Sequence, residues 1–191
     1  MEKNQIKKEI RKEIRDKLSH LTSKEVKEKS QHIMEKLCSL EDFCSAGKVF
    51  IYVSVGREPD TRFLIQDYLD KKEIYVPRCK DDDTLEAVRL EGLEYLQKGR
   101  YGIPEPVESL REFFHPEGPS IIIVPGTAFD ARGFRLGRGK GCYDRCLNHY
   151  LKKSPVWGLC YDFQILSHIP DESWDIKVDG IITEKRILRT A

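Results

Sequence analysis

Ile6, Ile10, Ile14 and Leu18 recur every four residues among Lys, Arg and Glu, which lines one face of an α-helix with apolar side chains. A second helix follows at once. Thr22 with Glu25 three residues later forms a capping box, and Val26, Ile33 and Leu37 supply the apolar face. The period then shortens. Residues 48–55 are β-branched and aromatic and predict a strand, Asp60 caps a helix over 61–70, and residues 73–79 predict the next strand. Two parallel strands joined by a helix make a βαβ unit. Its crossover is right-handed, and the carboxyl ends of its strands open onto a ligand crevice.

Residues 85–91 alternate and predict a further strand, followed by a short helical turn around 93–97. Gly102-Ile103-Pro104-Glu105-Pro106 holds too much proline for regular structure and predicts a fixed extended loop. Residues 120–124 are an apolar run of the kind buried on both faces of a parallel sheet, and residues 155–161 and 178–183 add two strands near the C-terminus. The expected fold is a three-layer α/β/α domain over residues 1–191, with a mostly parallel central sheet of five or six strands and an N-terminal helical pair. No repeat, linker or low-complexity segment interrupts it.

With 191 residues and 39% hydrophobic content the chain can bury one sizeable core. Its 33 Lys and Arg nearly balance 32 Asp and Glu, so no global field draws it to nucleic acid or membrane. The N-terminus is charged, and no apolar run nears the roughly 20 residues that a membrane span requires. A cytoplasmic monomer acting on small molecules is expected. Cys38, Cys44, Cys79, Cys142, Cys146 and Cys160 include no Cys-x-x-Cys pair and no histidine at zinc-ligand spacing, so reduced thiols are expected. Cys142 and Cys146 lie one helical turn apart. Cys142 sits among cations near a helix start, where a thiol pKa falls, but no partner base is nearby.

Charge selectivity is therefore local, and it is concentrated in residues 132–141, which hold four cations, four glycines and no acid. The segment lies between the 120–124 strand and a helix-like stretch over 143–151, as phosphate-binding loops do. It is no Walker A loop, because Gly139-Lys140 is followed by Gly141 and Phe134 occupies the position of the earlier glycine. It is no dinucleotide fingerprint either, since the third glycine falls on Cys142. Asp144, in the first turn of the following helix, either holds Mg2+ against phosphate oxygens or is an acid favoured by the helix dipole. Asp175 is a second candidate acid. Lys7 and Arg11 share a helix face, open to a phosphate or to glutamate partners, and Glu58 follows the first strand where the crevice lies.

These residues together resemble the 5-formyltetrahydrofolate cyclo-ligase family along the whole chain. The likeness is carried by Lys7-x-x-x-Arg11, Tyr52-x-Ser54 with Glu58 and Thr61, Val76-Pro77-Arg78, Gly102-Ile103-x-Glu105-Pro106 and Val124-Pro125-Gly126-x-x-Phe129-Asp130. Most specific is Gly133-x-Arg135-Leu136-Gly137-Arg138-Gly139-Lys140-Gly141-x-Tyr143-Asp144. Cys142 departs from the family, which commonly has tyrosine there. The resemblance implies ATP- and Mg2+-dependent conversion of 5-formyltetrahydrofolate to 5,10-methenyltetrahydrofolate, with phosphorylation of the formyl oxygen and attack by the folate nitrogen N10. It implies that Lys7, Lys8, Arg11 and Arg135, Leu136, Gly137, Arg138, Gly139, Lys140, Gly141, Cys142 and Tyr143 hold ATP. Arg138 and Lys140 then face the transferred phosphoryl, and Asp144 and Asp175 take Mg2+. Ser54, Glu58, Tyr101 and the stretch from Arg138 to Cys142 meet the folate. Apart from the resemblance, the residues leave open a phosphosugar isomerase-like enzyme or a non-catalytic nucleotide- or folate-binding protein. The separated Lys7/Arg11 pair favours a triphosphate over a single phosphate.

Overall fold

The computed structural model describes residues 2–80, 82, 84–150 and 153–190, the side chain of Tyr101 excepted. The chain opens with α1 (Glu2–Ser19), α2 (Ser23–Cys38) and a short α3 (Glu41–Ser45). It continues through β1 (Lys48–Ile51), α4 (Arg62–Tyr68), β2 (Glu73–Cys79) and β3 (Leu85–Arg89). β4 (Leu96–Lys98), β5 (Pro104–Pro106), β6 (Ser120–Pro125), β7 (Ala128–Asp130) and β8 (Arg135–Leu136) lead to α5 (Cys142–Asn148). β9 (Val156–Leu159), β10 (Ile165–Leu166), β11 (Gly180–Ile182) and β12 (Ile187–Arg189) complete it.

Among the described residues the central sheet has seven strands in the order β12-β11-β9-β6-β1-β2-β3. The inner five are mutually parallel, and β3 and β12 close the two edges antiparallel. The alternation of strand side chains divides the core. Val49, Ile51, Ile74, Val76, Ile121 and Ile123 face Ile33, Leu37, Phe43, Leu64 and Ile65 from α2, α3 and α4. Phe50, Tyr75, Ile122 and Val124 face the opposite way, toward Cys146 and Leu147 of α5. Two faces covered by helices are what an apolar parallel sheet requires, and the three-layer architecture follows.

The first helical stripe finds a different partner. Ile14, flanked by Ile10 and Leu18, packs on Ala128, Leu136 and Ile169, so α1 lies against a separate three-stranded sheet ordered β10-β7-β8. The Thr22 capping box has both of its hydrogen bonds, which starts α2 abruptly after α1.

Several expectations are corrected. The proline-rich stretch is not irregular: Pro104–Pro106 forms β5, antiparallel to β4, with Gln97 opposite Glu105. A two-stranded ribbon leaves one side of each strand unpaired, so a proline without an N–H is tolerated there. The turn expected to reach Gln97 is a 3-10 helix over Leu93–Tyr95 only. The strands expected over 48–55, 155–161 and 178–183 are each shorter. The short α3, the edge strand β12 and the small sheet were not anticipated, because two to five residues carry too little periodicity to read. No helix among the described residues is long and apolar enough to cross a membrane.

Candidate active site

The basic segment leaves β7, turns, forms β8 and reaches α5, so two of its residues belong to a strand. Its four cations have different fates. Arg132 donates through Nη2 and Nε to the Asp130 carboxylate at 2.7 and 3.2 Å, and through Nη1 to Asp171 at 3.0 Å. Asp130 is fully buried and also accepts from the amides of Arg132, Phe134 and Ile169. A buried carboxylate needs such partners. Arg132 is therefore committed to holding the small sheet together.

Arg135 is buried, its side chain 3% exposed, and it donates from Nη2 to Asp144 Oδ1 at 3.0 Å. Its guanidinium also stands 5.4 Å from the Tyr143 ring centre, while Nε has no partner among the described residues. Leu136 turns its side chain into the core beneath α1, and its carbonyl accepts from the Thr127 amide at 2.7 Å. Two segments converge on the rest of the loop. From α1, Arg11 Nε donates to the Gly137 carbonyl at 2.9 Å, and burial lowers the pKa of its guanidinium. From the turn after β1, Glu58 Oε1 accepts from Arg138 at 2.6 Å, while its Oε2 accepts from the Val55 amide at 3.0 Å.

The loop can approach a ligand through its backbone because Gly139 sits at φ 111°, beside the Arg11 guanidinium, and Gly141 at φ 66° ends the loop at α5. Both conformations disfavour any residue with a Cβ. Lys140 is exposed between them. Since Glu58 follows β1, and Arg135 lies against the Pro125 carbonyl at the end of β6, the assembly stands at the carboxyl ends of two adjacent parallel strands. That is the crevice expected of such a sheet.

The remaining candidates divide. Lys7 Nζ lies 3.5 Å from Asp175 Oδ2, whereas Lys8 is exposed on α1. Ser54 is buried, and its hydroxyl donates to Asp60 Oδ1 at 2.8 Å and accepts from the Thr61 amide. It organises the start of α4, where Asp60 also accepts from the Arg62 amide at 3.1 Å. Tyr143 lies partly buried, and burial, with Glu58 next in effect, drives its phenol pKa well up. Cys142 is half-buried at the first turn of α5, and burial pushes the neighbouring Cys146 thiol up to about 12. The side chain of Tyr101 lies outside the described residues.

Among the described residues no three His, Cys, Asp or Glu side chains cluster as a protein-only metal site. Asp144 and Asp175 each have one carboxylate oxygen engaged by a cation, and they offer the hard oxygen ligands that Mg2+ takes in ones and twos beside phosphates. Sequence reasoning missed the part of Asp130 and Asp171 in holding Arg132. The Asp130-x-Arg132 spacing, with two side chains that meet across a turn, was the available signal.

The sequence matches the 5-formyltetrahydrofolate cyclo-ligase family over residues 3–184. It is 30% identical over 192 residues to the 5-formyltetrahydrofolate cyclo-ligase of Mus musculus, covering 95% of each chain. With that of Escherichia coli (strain K12) it shares 31% identity over 183 residues, 91% of this chain and 98% of the other. Among solved structures it is similar to the 5,10-methenyltetrahydrofolate synthetase of Aquifex aeolicus, with a TM-score of 0.84, 36% identity and coverage of 96% and 92%. A synthetase of the same name from Mycoplasma pneumoniae shares the fold, at a TM-score of 0.74 and 24% identity over 93% of this chain and 98% of the other.

Proposed function

The chain belongs to the 5-formyltetrahydrofolate cyclo-ligase family, and from that premise we propose that residues 1–191 form one catalytic domain converting 5-formyltetrahydrofolate to 5,10-methenyltetrahydrofolate with ATP and Mg2+, releasing ADP and phosphate. The observation that carries this reading is the convergence on one loop of Arg11 from α1 and Glu58 from the end of β1. Those two contacts join a cationic helix, a backbone cradle and a carboxylate at the mouth of the parallel sheet.

The chemistry explains why such a set is needed. A formyl oxygen is a poor leaving group, and transfer of the γ-phosphoryl to it, with ADP departing, leaves a carbon that the folate nitrogen N10 attacks; the ring closes as N10 gives up its proton and phosphate is expelled. No protein nucleophile takes part, so catalysis reduces to alignment and neutralisation of charge. Lys7, Lys8, Arg11 and the loop residues Arg135, Leu136, Gly137, Gly139, Gly141, Cys142 and Tyr143 hold the triphosphate, with Leu136 contributing backbone only. Arg138 and Lys140 face the phosphoryl in transit. Asp144 and Asp175 hold Mg2+, which supplies charge to the phosphate oxygens.

Glu58 has a further part. Its pairing with Arg138 is exposed on the arginine side, and exposed pairs contribute little, about 0–1 kcal/mol. Arg138 can therefore leave Glu58 for a phosphate at small cost. Glu58 is then released to accept from the folate, beside Ser54, Tyr101 and the 138–142 backbone. The same proposal has the chain act as a cytoplasmic monomer on small molecules, without nucleic acid or membrane. Near-balance of charge and six cysteines outside any disulfide suit it.

Purified protein incubated with ATP, Mg2+ and 5-formyltetrahydrofolate is expected to produce the near-ultraviolet absorbance of the methenyl product, dependent on all three. Folded protein that gives no such absorbance would overturn the proposal.

A further inference from the structure

Trp174 is 70% exposed, more than any other large apolar side chain among the described residues; Phe63 follows at 61%. The other tryptophan, Trp157, is fully buried. A side chain with so much apolar surface, left in water on a polar segment, is unusual, since indoles gather where one face meets a partner. The backbone beneath Trp174 is also fixed. Glu172 to Asp175 is a tight turn closed by the Asp175 amide on the Glu172 carbonyl at 3.1 Å, and again by the Glu172 amide on Asp175 Oδ2 at 2.9 Å.

That turn is fastened to α1. Lys7 pairs with Asp175 at 3.5 Å, and Lys3 donates to the Asp171 carbonyl at 2.8 Å and meets Glu172 at 3.5 Å. One turn further along α1, Arg11 binds the Gly137 carbonyl of the basic loop. Lys7 and Arg11 are about 6 Å apart along the helix axis, less than the length of a nucleoside triphosphate. The turn that carries the indole is thus fastened beside the same row of cations that leads to the loop.

We propose that Trp174 is the stacking platform for the purine base of the nucleotide whose phosphates α1 and the basic loop hold. This rests on the nucleotide-binding reading of that loop. An exposed indole on a hydrogen-bonded turn offers a π-face at low entropy cost, since only its two χ angles have to be ordered, and base–aromatic stacking strengthens binding whatever the base's edge groups. The phosphates fix one end of the ligand electrostatically; Trp174 holds the other by contact.

The full chain and its Trp174→Ala and Trp174→Phe variants are titrated with Mg2+-ATP and, separately, with inorganic tripolyphosphate. Calorimetry and tryptophan emission serve as readouts. Trp157 is buried, so acrylamide quenching reports on Trp174. ATP is expected to protect Trp174 from acrylamide. Trp174→Ala should weaken ATP binding about tenfold, or about 1.4 kcal/mol, and leave tripolyphosphate binding unchanged, while Trp174→Phe keeps most of the affinity. Unchanged emission from Trp157 and an unchanged circular dichroism spectrum verify the fold of each variant. Equal ATP affinity in wild type and Trp174→Ala overturns the stacking assignment alone, as does ATP binding that leaves Trp174 open to acrylamide. If neither ATP nor tripolyphosphate binds the wild-type chain, the nucleotide reading itself fails and the assignment falls with it.

Discussion

Replacing Asp144 by asparagine should cost far more stability than a partly buried residue in the first turn of a seven-residue helix suggests. Its carboxylate is the counter-charge of Arg135, whose side chain is 3% exposed, while that of Asp144 is 20% exposed. Removing the acid strands a guanidinium whose Nε already lacks a partner among the described residues. Breaking a buried pair from the side that leaves a charge behind costs about 3–5 kcal/mol. Removing the arginine, as in Arg135→Met, strands only the carboxylate, which reaches water, and should cost less, about 1–2 kcal/mol. The double variant should lose less than the sum of the two, because neither charge remains uncompensated. Urea denaturation followed by circular dichroism measures all three. A drop of about 3–5 kcal/mol corresponds to a melting temperature lower by about 6–20 °C in a chain of this size. The reasoning is refuted if Asp144→Asn lies within about 1 kcal/mol of wild type, or if the single costs simply add.

Three further outcomes are expected. Glu58→Gln should lower kcat/KM for 5-formyltetrahydrofolate by about tenfold or more, the worth of a hydrogen bond to a charged group, with little change in KM for ATP. A loss confined to ATP would exclude the folate role. Gly139→Ala should reduce turnover by displacing the loop backbone: the added Cβ would only touch Arg11 at 3.7 Å, but φ 111° strains any residue other than glycine. Wild-type kinetics in that variant would mean the loop does not need this conformation. Burial raises the Asp60 carboxyl pKa, but hydrogen bonds from Arg62 and Ser54 outweigh it and leave the pKa below the usual value. A depressed folded pKa stabilises the protein above the unfolded value of about 3.9 and is lost as pH falls through the lower folded value. Denaturation at neutral pH and at pH near 3 should therefore find Asp60→Asn destabilised at the first and closer to wild type at the second; a pH-independent gap would exclude the linkage.

Long periodic segments were legible without the structure because their patterns answer to local rules. The four-residue stripe of α1, the Thr22–Glu25 box and the apolar run of β6 each state their conformation within a few turns or alternations. Glycines and cations interleaved over ten residues marked out the candidate site for the same reason: backbone freedom and charge are properties of residue types. Short elements were different. β8 is two residues long, β5 contains two prolines and β12 is an edge strand, and each exists because a neighbouring strand supplies partners that no local window contains.

The amino-acid order alone thus determined the three-layer α/β/α class, the pair of N-terminal helices and the location of the basic glycine loop, since periodicity, capping and charge act over neighbours in the chain. Only the tertiary structure decided which carboxylates three of the loop's cations meet. Arg132 is bound by Asp130 and Asp171, Arg135 is buried against Asp144, and Arg138 reaches a glutamate eighty positions away. Electrostatic partners are chosen by distance in space and by burial, and neither is written in the spacing of residues along the chain.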